Sequence, residues 1–113
     1  MPFIDCKITD SLTEEEKNKL KTELGKKISV LHKPESYLMV GIADNYSLYF
    51  AGKKLEKGAY VSVSVFGKLD SAACKKMTGE ICGILSANTG IDPACVYVTY
   101  HGVDNWGWNS ENF

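Results

Sequence analysis

The order strand, helix, strand is written twice in this chain, and that repetition limits the folds open to it more than any other feature. In the first copy, residues 2–9 (PFIDCKIT) read as a short strand. Thr13 followed three residues later by Glu16 is a capping box, and Glu14, Glu15 and Glu16 suit the positive start of a helix, as Lys26 and Lys27 suit its end. Leu20, Leu24, Ile28 and Leu31 recur at helical steps, so one apolar stripe predicts a helix over 14–31. Pro34 then forces Lys33 toward an extended conformation and ends it. Residues 37–43 (YLMVGIA) read as an almost uninterrupted apolar strand, which predicts cover on both faces. Asp44 and Asn45 signal a turn, and Ser47 to Phe50 predict a short return strand before the polar loop Gly52 to Gly58.

The second copy begins at residues 59–66. Ala59, Val61, Val63 and Val65 alternate with Tyr60, Ser62, Ser64 and Phe66, so the small apolar set points one way and the mixed set the other. Asp70 or Ser71 caps a second helix with an inward stripe of Cys74, Met77, Ile81, Ile84 and Leu85, and Gly90 stops it. Pro93 leads into a strand from Cys95 to Tyr100, and the tail GVDNWGWNSENF predicts an irregular or hairpin segment. Pro34 and Pro93 lie 59 residues apart, at corresponding points of the two copies. Two such units predict an α/β fold with pseudo-twofold symmetry. Both helices cover one face of a mixed four-stranded sheet. The other face, with Ser62, Ser64, Tyr97, Thr99 and His101, needs cover that oligomerisation would supply most simply.

A chain of 113 residues is expected to form one domain over residues 1–113 and to bury roughly 65% of the surface of its unfolded form. It has 13 Lys plus Arg against 14 Asp plus Glu, which argues against nucleic acid or an anionic membrane as partner. No apolar run approaches the ~18 residues that span a bilayer, so membrane insertion is not expected. The start MPFIDCKITD does not read as a signal peptide, which predicts a cytoplasmic protein. Cys6, Cys74, Cys82 and Cys95 form no C-x-x-C pair, and His32 and His101 stand in no recognised ligand spacing with them, so neither a disulfide framework nor a metal site is expected.

One residue carries a chemical suggestion of its own. Methionine before a small residue is normally removed, which would leave Pro2 at the chain start with a secondary amine. Placed near a cation and away from water, such an amine loses basicity and can serve as a general base near neutral pH.

The start Pro2-Phe3-Ile4, the segment Lys33 to Tyr37, Phe66-Gly67-Lys68, the strand Val96-Tyr97-Val98 and the ending Gly107-Trp108-Asn109 to Phe113 occur in order. Together they resemble the macrophage migration inhibitory factor and D-dopachrome tautomerase family of the tautomerase superfamily. The resemblance implies a homotrimer with an active site at each subunit interface. It implies keto–enol tautomerisation of phenylpyruvate- and dopachrome-type substrates, an isomerase reaction needing no cofactor. Carried over by position, Pro2 is the base and Lys33 grips the substrate carboxylate and helps keep the proline neutral. The Phe66 amide contacts substrate, Tyr97 closes the pocket from a neighbouring subunit, and Tyr37, Trp108 and Phe113 form an aromatic rim. The resemblance also implies a cytokine-like role, export without a signal peptide and the class II invariant chain on immune cells as a partner.

Four departures stand out. Phe66 replaces an isoleucine, Thr99 replaces an interface asparagine, Trp106 replaces a smaller residue, and the loop before Trp108 is two residues shorter. The C-x-x-C of the human cytokine falls on Gly58 and Val61, which removes support for a thiol oxidoreductase.

Overall fold

The computed structural model describes residues 1–113. Strand β1 (Pro2–Ile8) and strand β5 (Ala59–Phe66) form the centre of the sheet, and both alternate strictly between buried and half-buried residues. They run antiparallel, with Ile4 opposite Val63, Cys6 opposite Val61 and Ile8 opposite Ala59. The buried sets of the two strands therefore share one face. Helices α1 (Glu14–Lys27) and α2 (Ser71–Thr89) cover that face and touch each other. Leu20, Leu24, Met77, Ile81 and Leu85 complete a core in which no polar side chain is buried. Each fully buried Val, Leu or Ile side chain there contributes about 1.5–3 kcal/mol by leaving water.

Strand β2 (Met39–Ala43) pairs in parallel with β1, and β6 (Val96–Val103) in parallel with β5, giving the order β2-β1-β5-β6. This is the mixed sheet of two β-α-β units, with both helices on one face. The capping box forms as read, with Thr13 accepting from the Glu16 N–H and Glu16 accepting from the Thr13 N–H. Asp70 is the cap of α2 through the Ala73 N–H, and Gly90 ends it at φ 75. No helix is long and apolar enough to cross a membrane.

Four readings need correction. The first helix is α-helical only to Lys27. Residues Ile28–Leu31 tighten into a 3-10 turn, and His32, at φ 60, reverses the chain before Pro34 acts. Residues 37–43 are not a strand covered on both faces. Glu35–Tyr37 is a 3-10 turn, and β2 is the sheet edge, with Met39 68% exposed. An apolar run does not by itself distinguish an edge strand from a central one. The return strand is also different. Tyr49–Phe50 (β3) pairs with Lys53–Lys54 (β4) as a separate ribbon, because Ala51 and Gly52 both take positive φ and close a two-residue turn. Finally, Ala73 takes the buried position on α2, and Cys74 is only half-buried.

The tail forms the expected hairpin, Gly107–Trp108 (β7) against Glu111–Asn112 (β8), turning through Asn109 and Ser110 at φ 54 and 65.

Candidate active site

The start of β1 and the end of β5 meet at one end of the sheet, where Pro2 lies opposite Val65 and Phe3 opposite Ser64. A cleft of about 750 Å³ opens there. Met1, Pro2 and Phe3 form its floor, Tyr37 and Leu38 one wall, and Trp106 and Trp108 another. Pro2 itself is buried. Ser36, Ser64 and Asn105 place polar groups in this largely apolar surface.

Lys33 reaches this end because the left-handed His32 turns the chain off the helix axis. Its Nζ donates to the Phe66 carbonyl at 3.0 Å. The N–H of the same Phe66 donates to the Met1 carbonyl at 3.0 Å. Residue 66 thus connects the chain start and Lys33 through its backbone alone, which a change from isoleucine to phenylalanine leaves intact. The terminal ammonium of Met1 is held below the ordinary α-amino value, first by loss of water and second by the charge of Lys33. Both causes favour a neutral amine at this point.

An unbroken series of rings edges the cleft. Tyr37 meets Trp108 edge-on at 5.8 Å, Trp108 stacks on Phe113 at 6.2 Å, and Phe113 meets Phe66 at 5.7 Å. The Phe113 N–H donates to the Trp106 carbonyl at 3.1 Å, which fastens the chain end back on the hairpin. Of the residues singled out from sequence, Pro2, Tyr37 and Trp108 line the cleft directly. Lys33, Phe66 and Phe113 are not among the lining residues and join the cleft through the Phe66 backbone and the ring series.

Tyr97 lies elsewhere. It pairs with Tyr60, five residues along β5 from the Val65 that faces Pro2, or ~17 Å at a strand rise of about 3.4 Å. Within one chain it cannot touch Pro2. Thr99 bonds to the Tyr60 hydroxyl at 2.8 Å and to His101 at 3.1 Å, so its hydroxyl is already engaged on the open sheet face.

Sequence reasoning did not single out Ser36, Met39, Ser64 or Asn105 as lining residues, since such types carry no pattern. It also missed Gly102. A Cβ there would lie 2.6 Å from the Gly67 carbonyl oxygen, so only glycine lets the ends of β5 and β6 close beside the cleft. No three His, Cys, Asp or Glu side chains gather into a metal-ligand set. All four cysteines are free, and burial pushes the Cys6 thiol up to about 12. Cys74 and Cys82 are also raised by burial, which lowers their thiolate content and reactivity.

The family described as macrophage migration inhibitory factor matches residues 1–112. The rat protein of that name is 30% identical over 83 residues, covering 72% of this chain and 71% of its own. Among solved structures, Leishmania major MIF2 superposes with a TM-score of 0.93 at 30% identity, over 100% of this chain and 97% of that one. The homologue from Prochlorococcus marinus gives a TM-score of 0.88 at 29% identity, with 98% of each chain covered.

Proposed function

Because the chain belongs to the macrophage migration inhibitory factor family, we propose that it is a keto–enol tautomerase of phenylpyruvate- and dopachrome-type substrates that uses Pro2 as its base once Met1 is removed. The observation that carries the reading is the linkage of the chain start, which lines an apolar, aromatic-edged cleft, to Phe66 and through it to Lys33. Removal of Met1 does three things there. It exposes the Pro2 amine, it empties the floor, and it frees the Phe66 N–H that the Met1 carbonyl now occupies.

The neutral Pro2 nitrogen takes a proton from the carbon next to the substrate carbonyl, and the electron pair of that C–H bond moves into the enolate. The Lys33 ammonium holds the carboxylate by a charge-assisted hydrogen bond. The protonated proline then gives its proton to the enolate oxygen, or to carbon in the reverse direction. Tyr37, Trp108 and Phe113 hold the aromatic ring and exclude water, and Phe66 offers its backbone donor. Tyr97 completes the pocket from a second copy in a homotrimer, since in its own chain it is offset from Pro2 by five residues along β5 and lies across that strand from it.

Two measurements test this. Protein shown by mass spectrometry to begin at Pro2 turns over phenylpyruvate, and the Met1-bearing form is slower by about 10²–10⁴-fold; equal rates would remove Pro2 from its assigned role. Light scattering gives about three times the 12.5 kDa chain mass, and a monomer would sink the shared site. The cytokine-like role, with leaderless export and the class II invariant chain as receptor, rests on family membership. It is tested by binding of the purified protein to the receptor ectodomain.

A further inference from the structure

We infer that Phe50 is a positioning residue for the proposed reaction, setting the ring of Tyr97 that a second copy presents to the cleft. The inference rests on the reading above that Tyr97 acts across a subunit boundary.

Tyr97 is the second residue of β6 and is 65% exposed in the single chain. An exposed strand tyrosine has two common χ1 rotamers and no reason to hold one. Here it has a neighbour. The Phe50 ring lies 5.7 Å from the Tyr97 ring at 55°, a tilted contact within the range in which aromatic pairs attract.

Phe50 is placed by the backbone of its ribbon. It sits at the mouth of the two-residue turn Ala51–Gly52, paired to Lys53, and the ribbon is extended by the Leu55 N–H donating to the Leu48 carbonyl at 2.9 Å. Leu55 fastens this ribbon to the sheet. A Cβ on Gly58 would lie 2.6 Å from Leu55 Cδ1, so the leucine packs directly over the glycine that precedes β5. An apolar notch of about 60 Å³ between ribbon and sheet includes Leu48, Phe50, Leu55, Tyr60 and Tyr97. The separate ribbon, which has no part in the main sheet, thus has a use: it buttresses one side of Tyr97 and leaves the hydroxyl end free to face a neighbour.

The test uses the assembled, Met1-processed protein with phenylpyruvate. Phe50→Ala is expected to raise KM about three- to tenfold, the range an aromatic pair contributes, with kcat and assembly mass unchanged. Phe50→Tyr, which keeps a ring, restores KM. Because Phe50 acts through Tyr97, the double variant Phe50→Ala/Tyr97→Ala has the KM of Tyr97→Ala alone. An unchanged KM in a trimeric Phe50→Ala protein, or additive losses in the double variant, overturns the inference. So does loss of the trimer in both Phe50→Ala and Phe50→Leu, which would make the residue an assembly contact. A Tyr97→Ala protein with normal kinetics fails the underlying reading of Tyr97 instead, and so separates the two.

Discussion

The two β-α-β units follow one backbone plan, yet their connecting turns use their polar residues in opposite ways. A step of 59 residues places Asp92 where the first unit has Lys33, each directly before its proline. Asp92 serves its own turn: its Oδ1 accepts the Ala94 N–H at 2.9 Å and caps the 3-10 turn Pro93–Cys95. The corresponding turn Glu35–Tyr37 has no side-chain cap. Lys33 instead sends its ammonium across to the Phe66 carbonyl, at the end of the first strand of the other unit. The strand starts differ as well. β5 begins in mid-chain, where the Gly58 N–H is satisfied by Thr9 Oγ1 at 2.9 Å. β1 begins next to the chain start, where burial and the charge of Lys33 both act on the Met1 ammonium. In a pseudo-symmetric fold, the half that fails to satisfy itself locally is the half that holds the candidate site.

The strongest way to break this comparison is to remove what only the first unit has. Pro2→Gly keeps a terminal amine but makes it primary, flexible and differently basic. Turnover of phenylpyruvate is expected to fall steeply, toward the 10²–10⁴-fold that a positioned base contributes. Circular dichroism is expected to stay unchanged, since Pro2 contributes little to the core. Full activity in this variant would mean that the two strand starts do not differ in function.

The turn residues give the next largest effect. Lys33→Ala removes a charged hydrogen bond, which typically contributes about 1.5–3 kcal/mol, so KM for a carboxylate substrate rises about ten- to a hundredfold. The same change acts on pH. The chain-start ammonium of Met1 is held below its ordinary value, first by burial and second by the charge of Lys33, and the Pro2 amine freed by processing is expected to feel the same two influences. The neutral, active form therefore gains population as pH rises through that lowered value. Without Lys33 the value moves up, and the rise in kcat/KM shifts to higher pH. Asp92→Ala leaves KM and the pH profile alone and costs about 1 kcal/mol of stability as a lost cap. If denaturant unfolding and kinetics showed the reverse assignment, the contrast between the units would be wrong.

Much of this architecture was legible in residue patterns for a physical reason. Alternation in residues 59–66 survives as strict alternation of burial, because the period of a strand is fixed by its backbone. Thr13, Asp70 and Gly90 act through bonds to residues three or four positions away, so local sequence contains the whole interaction. The edge position of β2 was not legible, since pairing on one side or two depends on chain segments far away. Nor was the Ala51–Gly52 turn, because an alanine at φ 51 contradicts its usual preference. At the site, Pro2 was suggested by the chemistry of a chain-start proline, and Lys33 and Trp108 were found through resemblance. Ser36, Ser64 and Asn105 were not, because a serine or asparagine becomes a lining residue only by where the fold puts it.

The smallest effect concerns how the two helices end. Both stop on a residue in the left-handed region, Gly90 at φ 75 after α2 and His32 at φ 60 after the 3-10 turn that follows α1. Glycine takes this conformation without strain, whereas a side chain there costs about 1–2 kcal/mol. Gly90→Ala introduces that strain. It also reduces the freedom of the unfolded chain, which returns about 0.4–1 kcal/mol. The net expectation is a loss of about 0.5–1 kcal/mol, seen as a lower denaturant midpoint with an unchanged slope. His32→Gly removes the strain but adds unfolded-state entropy, so the same two terms work in the opposite sense and stability rises by a similar or smaller amount. Its second consequence separates the units. Gly90 is followed by Ile91 and a turn that caps itself through Asp92, so kinetics should not respond to Gly90→Ala. His32 immediately precedes Lys33, and a glycine there loosens the backbone that aims the ammonium at Phe66. A KM increase of about two- to threefold is expected in His32→Gly at normal kcat, the scale of an unfavourable backbone-entropy term of a few tenths of a kcal/mol. Equal KM responses at both helix ends would show that the left-handed residue of the first unit is only a terminator, as it is in the second.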